Sequence, residues 1–168
     1  MATGKIALLM GSKSDLPKIE GAIDVLQELD IPLDVHVMSA HRTPERVAEF
    51  AESAAGNGYK AIIAAAGGAA HLAGVVAAHT LLPVIGIPVE GGALQGLDAL
   101  LATVQMPGGI PVATVGIGRG GAKNAALLAI HILAIEDSEV RQRLKNYRSL
   151  QRDKVIQADN EIQSSIKR

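Results

Sequence analysis

The stretch LDVHVMSAHRTPERVAEFAESA, residues 33–54, reads as a strand followed at once by a helix. LDVHVM, residues 33–38, has the look of a buried strand. Thr43, Pro44 and Glu45 then offer a cap, a proline at the first helical position and an acid in the first turn. The stripe Val47, Phe50, Ala51, Ala54 continues at helical spacing. Between the two elements, SAHRTP places His41 and Arg42 at the mouth of the core rather than on its wet outer face.

The same unit recurs on both sides. KIALLM (5–10) is a first strand, with a helix near Ser14, Asp15, Leu16 and Pro17 whose stripe is Leu16, Ile19, Ile23, Leu26. KAIIAAA (60–66) is a third strand, running through the glycine-rich GGAAHLAGVVAAHT into a helix. PVIGIPV (83–89) precedes the loop EGGALQG and a helix near residues 97–104, and PVATVGI (111–117) is a fifth strand. The helix AKNAALLAIHILA is apolar nearly all round, so it is buried on more than one side. Strands alternating with helices mean a parallel α/β domain. The expectation is a three-layer αβα, flavodoxin-like parallel sheet of about five strands with a C-terminal helical extension.

From Glu136 the chain turns polar, with one sparse stripe at Val140, Leu144, Tyr147, Val155, Ile162 and Ile166. Such a helix does not hold itself folded alone. The division expected is a catalytic α/β domain over residues 1–135 and a helix over 136–168 that packs on a neighbouring subunit.

Composition narrows the function. The chain has 168 residues, enough for one domain with a true core. A net charge of -1 and 2 % aromatics argue against nucleic-acid binding, which needs basic patches or stacking platforms. With no cysteine, thiol nucleophiles, disulfides and Cys-based metal sites drop out. The apolar run near the N-terminus is too short for a signal peptide or a membrane span, so a cytoplasmic protein without a membrane partner is expected.

In an open α/β sheet, ligands sit beyond the carboxyl ends of the strands. MGSKSD (10–15), SAHRTP (39–44) and AAGGAAHL (65–72) all fall there and should converge on one pocket. Ser12 and the helix start behind it suit an anion, while Asp15 suits a helix cap or ribose hydroxyls. Arg42 carries a planar fork for phosphate or carboxylate, or pairs with Glu45 or Glu49. His41 is a candidate acid–base group, or bonds a neighbouring carbonyl. The glycines before His71 let a ligand approach the backbone, and His71 positions that ligand or bonds a loop carbonyl. His36, His79 and His131 show no ligand spacing, so no metal is expected. Gly116, Gly118 and Gly121 match G-x-G-x-x-G, but no later strand carries the ribose-binding acid. A tight turn or a subunit contact is the better reading.

Together, MGSKSD, SAHRTPE, AGGAAHLAGVVAAHT, PVIGIPV, VQMPGGIPVATVGIG and AKNAALLAIHIL resemble the N5-carboxyaminoimidazole ribonucleotide mutases, the class I, bacterial-type enzymes of purine biosynthesis. The likeness runs from about Ile6 to about Leu133. SAHRTP together with AGGAAHL is specific to it. The related carboxylases, which use free carbon dioxide and aminoimidazole ribonucleotide, tend to carry AGRSN where this chain has AGGAA. Ala73 departs from the many relatives with proline there.

The resemblance implies an isomerase of IMP biosynthesis acting on a phosphorylated ribonucleotide, without cofactor or metal, as a homo-octamer with sites between subunits. It places nucleotide contacts on Ser12, Asp15, Ser39 and Arg42. Gly67, Gly68, Ala69, His71 and Leu72 would line the reacting end, and His41 would be the acid–base residue. The rival readings are the carboxylase reaction on the same fold and a non-catalytic nucleotide-binding module.

Overall fold

The structure, a computed structural model, describes residues 4–166. Strands β1 (Lys5–Met10), β2 (Leu33–Val37), β3 (Tyr59–Gly67), β4 (Val84–Val89) and β5 (Ala113–Thr114) alternate with helices α1 (Leu16–Glu28), α2 (Pro44–Ser53), α3 (Leu72–Ala78), α4 (Leu97–Val104) and α5 (Gly118–Glu136). A long α6 (Ser138–Ile166) ends the chain. The sheet is parallel in the order β2–β1–β3–β4–β5, with Leu8 facing Val35 on one side and Ile63 on the other.

Alternation along β1 explains the three layers. Ile6, Leu8 and Met10 enter a core with α1, α5 and the start of α6. Ala7 and Leu9 point the other way, into a second core with α2 and α3. A strand buried on both faces must be apolar throughout, as KIALLM is. Each fully buried Ile or Leu contributes about 1.5–3 kcal/mol of transfer free energy. Few rings are needed because alanines carry the helix contacts: Ala122, Ala125, Ala126 and Ala129 of α5 are fully buried.

This topology positions the site. Chain order reverses beside β1: β1 leads to α1 on one face, and its neighbour β3 leads to α3 on the opposite face. A crevice opens where the two connections part.

Three local expectations are corrected. The fifth strand spans only Ala113–Thr114, pairing with Ile85 and Gly86 at the sheet's edge. Residues 115–117 then run irregularly to α5, which starts at Gly118, so Gly121 lies in its first turns rather than in a tight loop. Thr43 makes no side-chain cap to α2. Its hydroxyl accepts from Ser39 N–H at 2.9 Å and donates to the Ser39 carbonyl at 3.1 Å, closing the loop on itself.

Asp137 caps α6 through the N–H groups of Glu139 and Val140, and Arg141 donates back to the Ala134 carbonyl of α5 at 2.8 Å. Val140 and Leu144 are buried against α5, whereas Val155, Ile162 and Ile166 are exposed. Among the described residues no helix is long and apolar enough to cross a membrane.

Candidate active site

The three predicted segments meet in one cleft of about 490 Å³ at the carboxyl ends of β1, β2, β3 and β4. Ser12, Asp15, Ser39, His41, Arg42, Gly67, Gly68, Ala69, His71 and Leu72 all line it. His36, His79 and His131 do not line it: His79 pairs with Glu52 at 3.0 Å and His131 Nδ1 lies 2.6 Å from the Leu127 carbonyl.

The first segment folds as a 3-10 turn, Lys13–Asp15, ahead of α1. Ser12 caps it, and Asp15 returns the bond by accepting the Ser12 N–H at 3.1 Å. This reciprocal box satisfies donors that a helix start leaves open. Asp15 therefore closes the turn rather than capping α1 through its side chain.

In the second segment, Ser39 Oγ accepts the N–H groups of His41 and Arg42, each at 3.3 Å. Its own O–H remains for a ligand. Arg42 makes no pair with Glu45 or Glu49 among the described residues. It donates instead from Nη2 to the Gly11 carbonyl at 2.7 Å, tying the second segment to the first. The exposed guanidinium keeps further donors for an anion.

The third segment meets the second through two imidazoles. His41 Nε2 lies 2.8 Å from His71 Nδ1, with the rings edge to face at 85°. One ring nitrogen must donate and the other accept. His41 Nδ1 is the nitrogen without a protein partner among the described residues. Gly68 has φ of +61°, a left-handed turn that a glycine adopts without strain and that swings the loop past the end of β3.

Burial pushes the Asp15 carboxyl above its ordinary value, against the opposing pull of the Ser12 N–H, Lys18 and Arg42. A carboxyl raised by folding adds stability below its unfolded pKa, and that contribution is lost as pH rises through the folded value. At neutral pH its charge opposes folding. Asp15→Asn keeps an oxygen for Ser12 N–H and removes the charge. The variant should melt above wild type at neutral pH, with the gap closing in acid, while nucleotide binding weakens. Thermal scans across pH check this, and an unchanged or lower melting point at neutral pH contradicts it.

One wall was missed from sequence: Val89, Glu90, Gly91, Gly92 and Asp98 also line the cleft. The strand-end rule applied to PVIGIPV would have found the loop. Nothing in the sequence singles out Asp98.

Known proteins share this sequence and fold. The family model described as "AIR carboxylase" matches residues 5–154. N5-carboxyaminoimidazole ribonucleotide mutase of Escherichia coli (strain K12) is 54% identical over 153 residues, covering 91% of this chain and 90% of that one. The Pyrococcus abyssi mutase is 56% identical over 144 residues, covering 86% and 82%. The crystal structure of Treponema denticola PurE superposes with a TM-score of 0.84 at 30% identity, covering 93% of this chain and 96% of that one. With the fold and most of the chain in agreement, this protein belongs to the AIR carboxylase family, among its N5-carboxyaminoimidazole ribonucleotide mutases.

Proposed function

We propose that the chain is an isomerase that converts N5-carboxyaminoimidazole ribonucleotide to 4-carboxy-5-aminoimidazole ribonucleotide in purine biosynthesis. The observation that carries this reading beyond the family likeness is the His41–His71 pair, set in one cleft with the Gly/Ala loop and the anion-suited Ser12, Ser39 and Arg42. Ser12, Asp15, Ser39 and Arg42 hold the phosphate and ribose. Gly67, Gly68, Ala69, His71 and Leu72 border the reacting carboxyl group.

The proton chemistry follows from the pair. With His71 Nδ1 accepting from His41 Nε2–H, the tautomer and tilt of His41 are held and Nδ1 faces the substrate. His41 enters the cycle protonated on both ring nitrogens and gives the Nδ1 proton to the exocyclic nitrogen as the N–C bond breaks and carbon dioxide is freed, keeping Nε2–H on His71. The enamine-like ring carbon attacks that molecule. His41 Nδ1 then takes the proton from the same carbon, so the cycle closes without net uptake. Carbon dioxide offers no charge to grip, and close walls of glycine and alanine hold it by exclusion.

His41 and His71 are exposed in the single chain, so a dry site needs cover from outside it. Leu97, Leu101 and Val104 form an exposed apolar stripe on α4, and the far half of α6 exposes another. These fit burial against further copies, in a homo-octamer whose C-terminal extension, residues 136–168 with α6 within it, packs on a neighbour of the 1–135 catalytic domain. A chain without cysteine, acting on a phosphorylated metabolite, fits the cytoplasm.

The test is incubation of purified protein with freshly made N5-carboxyaminoimidazole ribonucleotide in bicarbonate-free buffer, following ring-carboxylated product. Product should form far faster than spontaneous decay. Product only from aminoimidazole ribonucleotide plus carbon dioxide would make it a carboxylase, and none from either would leave a binding module.

A further inference from the structure

The β4–α4 connection is the wall of the cleft for which the reading above has no use. Residues 90–95 are all exposed, yet both ends of the loop are pinned. Lys18 Nζ donates to the Glu90 carbonyl at 2.6 Å. At the other end Gly96, with φ of +91°, lies so close to Glu90 that a Cβ on it would come within 2.9 Å of the Glu90 Cα. Between these pins Gln95 N–H reaches the Gly92 carbonyl at a long 3.4 Å, the Leu94 carbonyl accepts from Leu97 N–H at 3.0 Å, and Gln95 sits at φ of +49°. The N–H groups of Gly91 and Gly92 donate to nothing among the described residues. A loop with a fixed neck and a weakly held tip shifts readily.

Asp98 lies two residues past that neck, in the first turn of α4, and lines the same cleft as Gly91 and Gly92. Its Oδ1 is shut off from solvent and accepts no hydrogen bond among the described residues. A buried carboxylate oxygen without a donor is an exception that calls for one. Being covered by protein, it is more readily met by a moving backbone N–H than by solvent or ligand. The N–H groups of Gly91 and Gly92 are unspent donors on the same cleft wall.

We infer that Asp98 is a positioning residue for carboxyl transfer: when the nucleotide binds, its Oδ1 takes a backbone N–H of the Gly91–Gly92 loop and holds that loop closed over the reacting end. The inference rests on the proposed mutase reaction, in which a free carbon dioxide must stay in the cleft until the ring carbon attacks. If the loop is not held, the N–C bond still breaks, the nitrogen still gains its proton, and carbon dioxide escapes. The chain then releases aminoimidazole ribonucleotide in place of the carboxylated product.

The readout is the ratio of aminoimidazole ribonucleotide to ring-carboxylated product, measured on the intact protein in bicarbonate-free buffer under a flow of inert gas. Asp98→Ala should raise that ratio about tenfold, the effect of losing one such hydrogen bond in the closed state. Asp98→Asn keeps an oxygen acceptor and should stay near the wild-type ratio. A purely structural role would lower the melting point and the amount of active protein without moving the partition. A wild-type ratio in Asp98→Ala, or equal leakage in both variants, overturns the inference. Should Asp98→Ala fail to fold, amide exchange on the wild type decides: Gly91 or Gly92 must slow when aminoimidazole ribonucleotide binds, and no slowing overturns it. Wild type that makes no carboxylated product at all would instead count against the mutase reading.

Discussion

His41→Asn should lower turnover by about 10³- to 10⁴-fold, the upper part of what a positioned acid–base group supplies. In the proposed mechanism the nitrogen that addresses the substrate is Nδ1, because Nε2 is engaged by His71 at 2.8 Å. An asparagine placed there has an amide that neither gives nor takes a proton near neutral pH. The proposed anchoring end of the cleft, Ser12, Ser39 and Arg42, owes its shape to bonds that do not use the imidazole: Arg42 to Gly11, and the backbone N–H groups to Ser39 Oγ. Nucleotide affinity should therefore change by no more than about threefold, well under 1 kcal/mol. Single-turnover kinetics beside a direct binding titration separate the two. A rate near wild type would remove His41 from the mechanism, and a collapse of binding would recast it as an anchor.

Gly121→Ala should cost about 3 kcal/mol or more of folding stability, roughly 6–12 °C in melting temperature for a chain of this size. A Cβ on Gly121 would fall onto the Gly116 carbonyl. That obstacle is backbone, so no rotamer change relieves it, and the passage from β5 into α5 would have to open. α5 packs along α1 and carries much of the first core, so the strain reaches far. Its neighbour is the control. Gly120 is exposed, with nothing within 4 Å of an added Cβ, and Gly120→Ala should stabilise α5 by up to about 1 kcal/mol through helix propensity. Opposite signs at adjacent glycines in one helix are the expected result, read by thermal or urea melts. Two equal shifts would dispose of the steric account.

Much of the fold was legible from pattern. β1 and α4 fall on the expected residues, and α2 begins at the proline that announced it. These elements have local causes: a continuous apolar run, a fixed proline φ, a stripe at helical spacing. The elements read least well have remote causes. β5 keeps just Ala113 and Thr114 because it is an edge strand that must leave β4 to let Gly116 meet α5. The G-x-G-x-x-G spacing reads as a tight turn or a subunit contact, since spacing does not reveal that its last glycine, inside α5, is pressed on a carbonyl from the same connection.

The site divides along the same line. Which residue types stand at the strand ends is written in the chain, and the strand-end rule places three such segments at the one cleft where the structure has them. That part was determined by sequence because side-chain chemistry and strand periodicity are local properties. Tertiary structure alone decided that His41 Nε2 meets His71, thirty positions on, that Arg42 ties to Gly11 rather than to a glutamate of its own helix, and that Asp98 ends with an unpartnered oxygen beside the cleft. Each is a meeting of atoms distant along the chain, and distances of that kind exist only once the sheet has set its strand order and register.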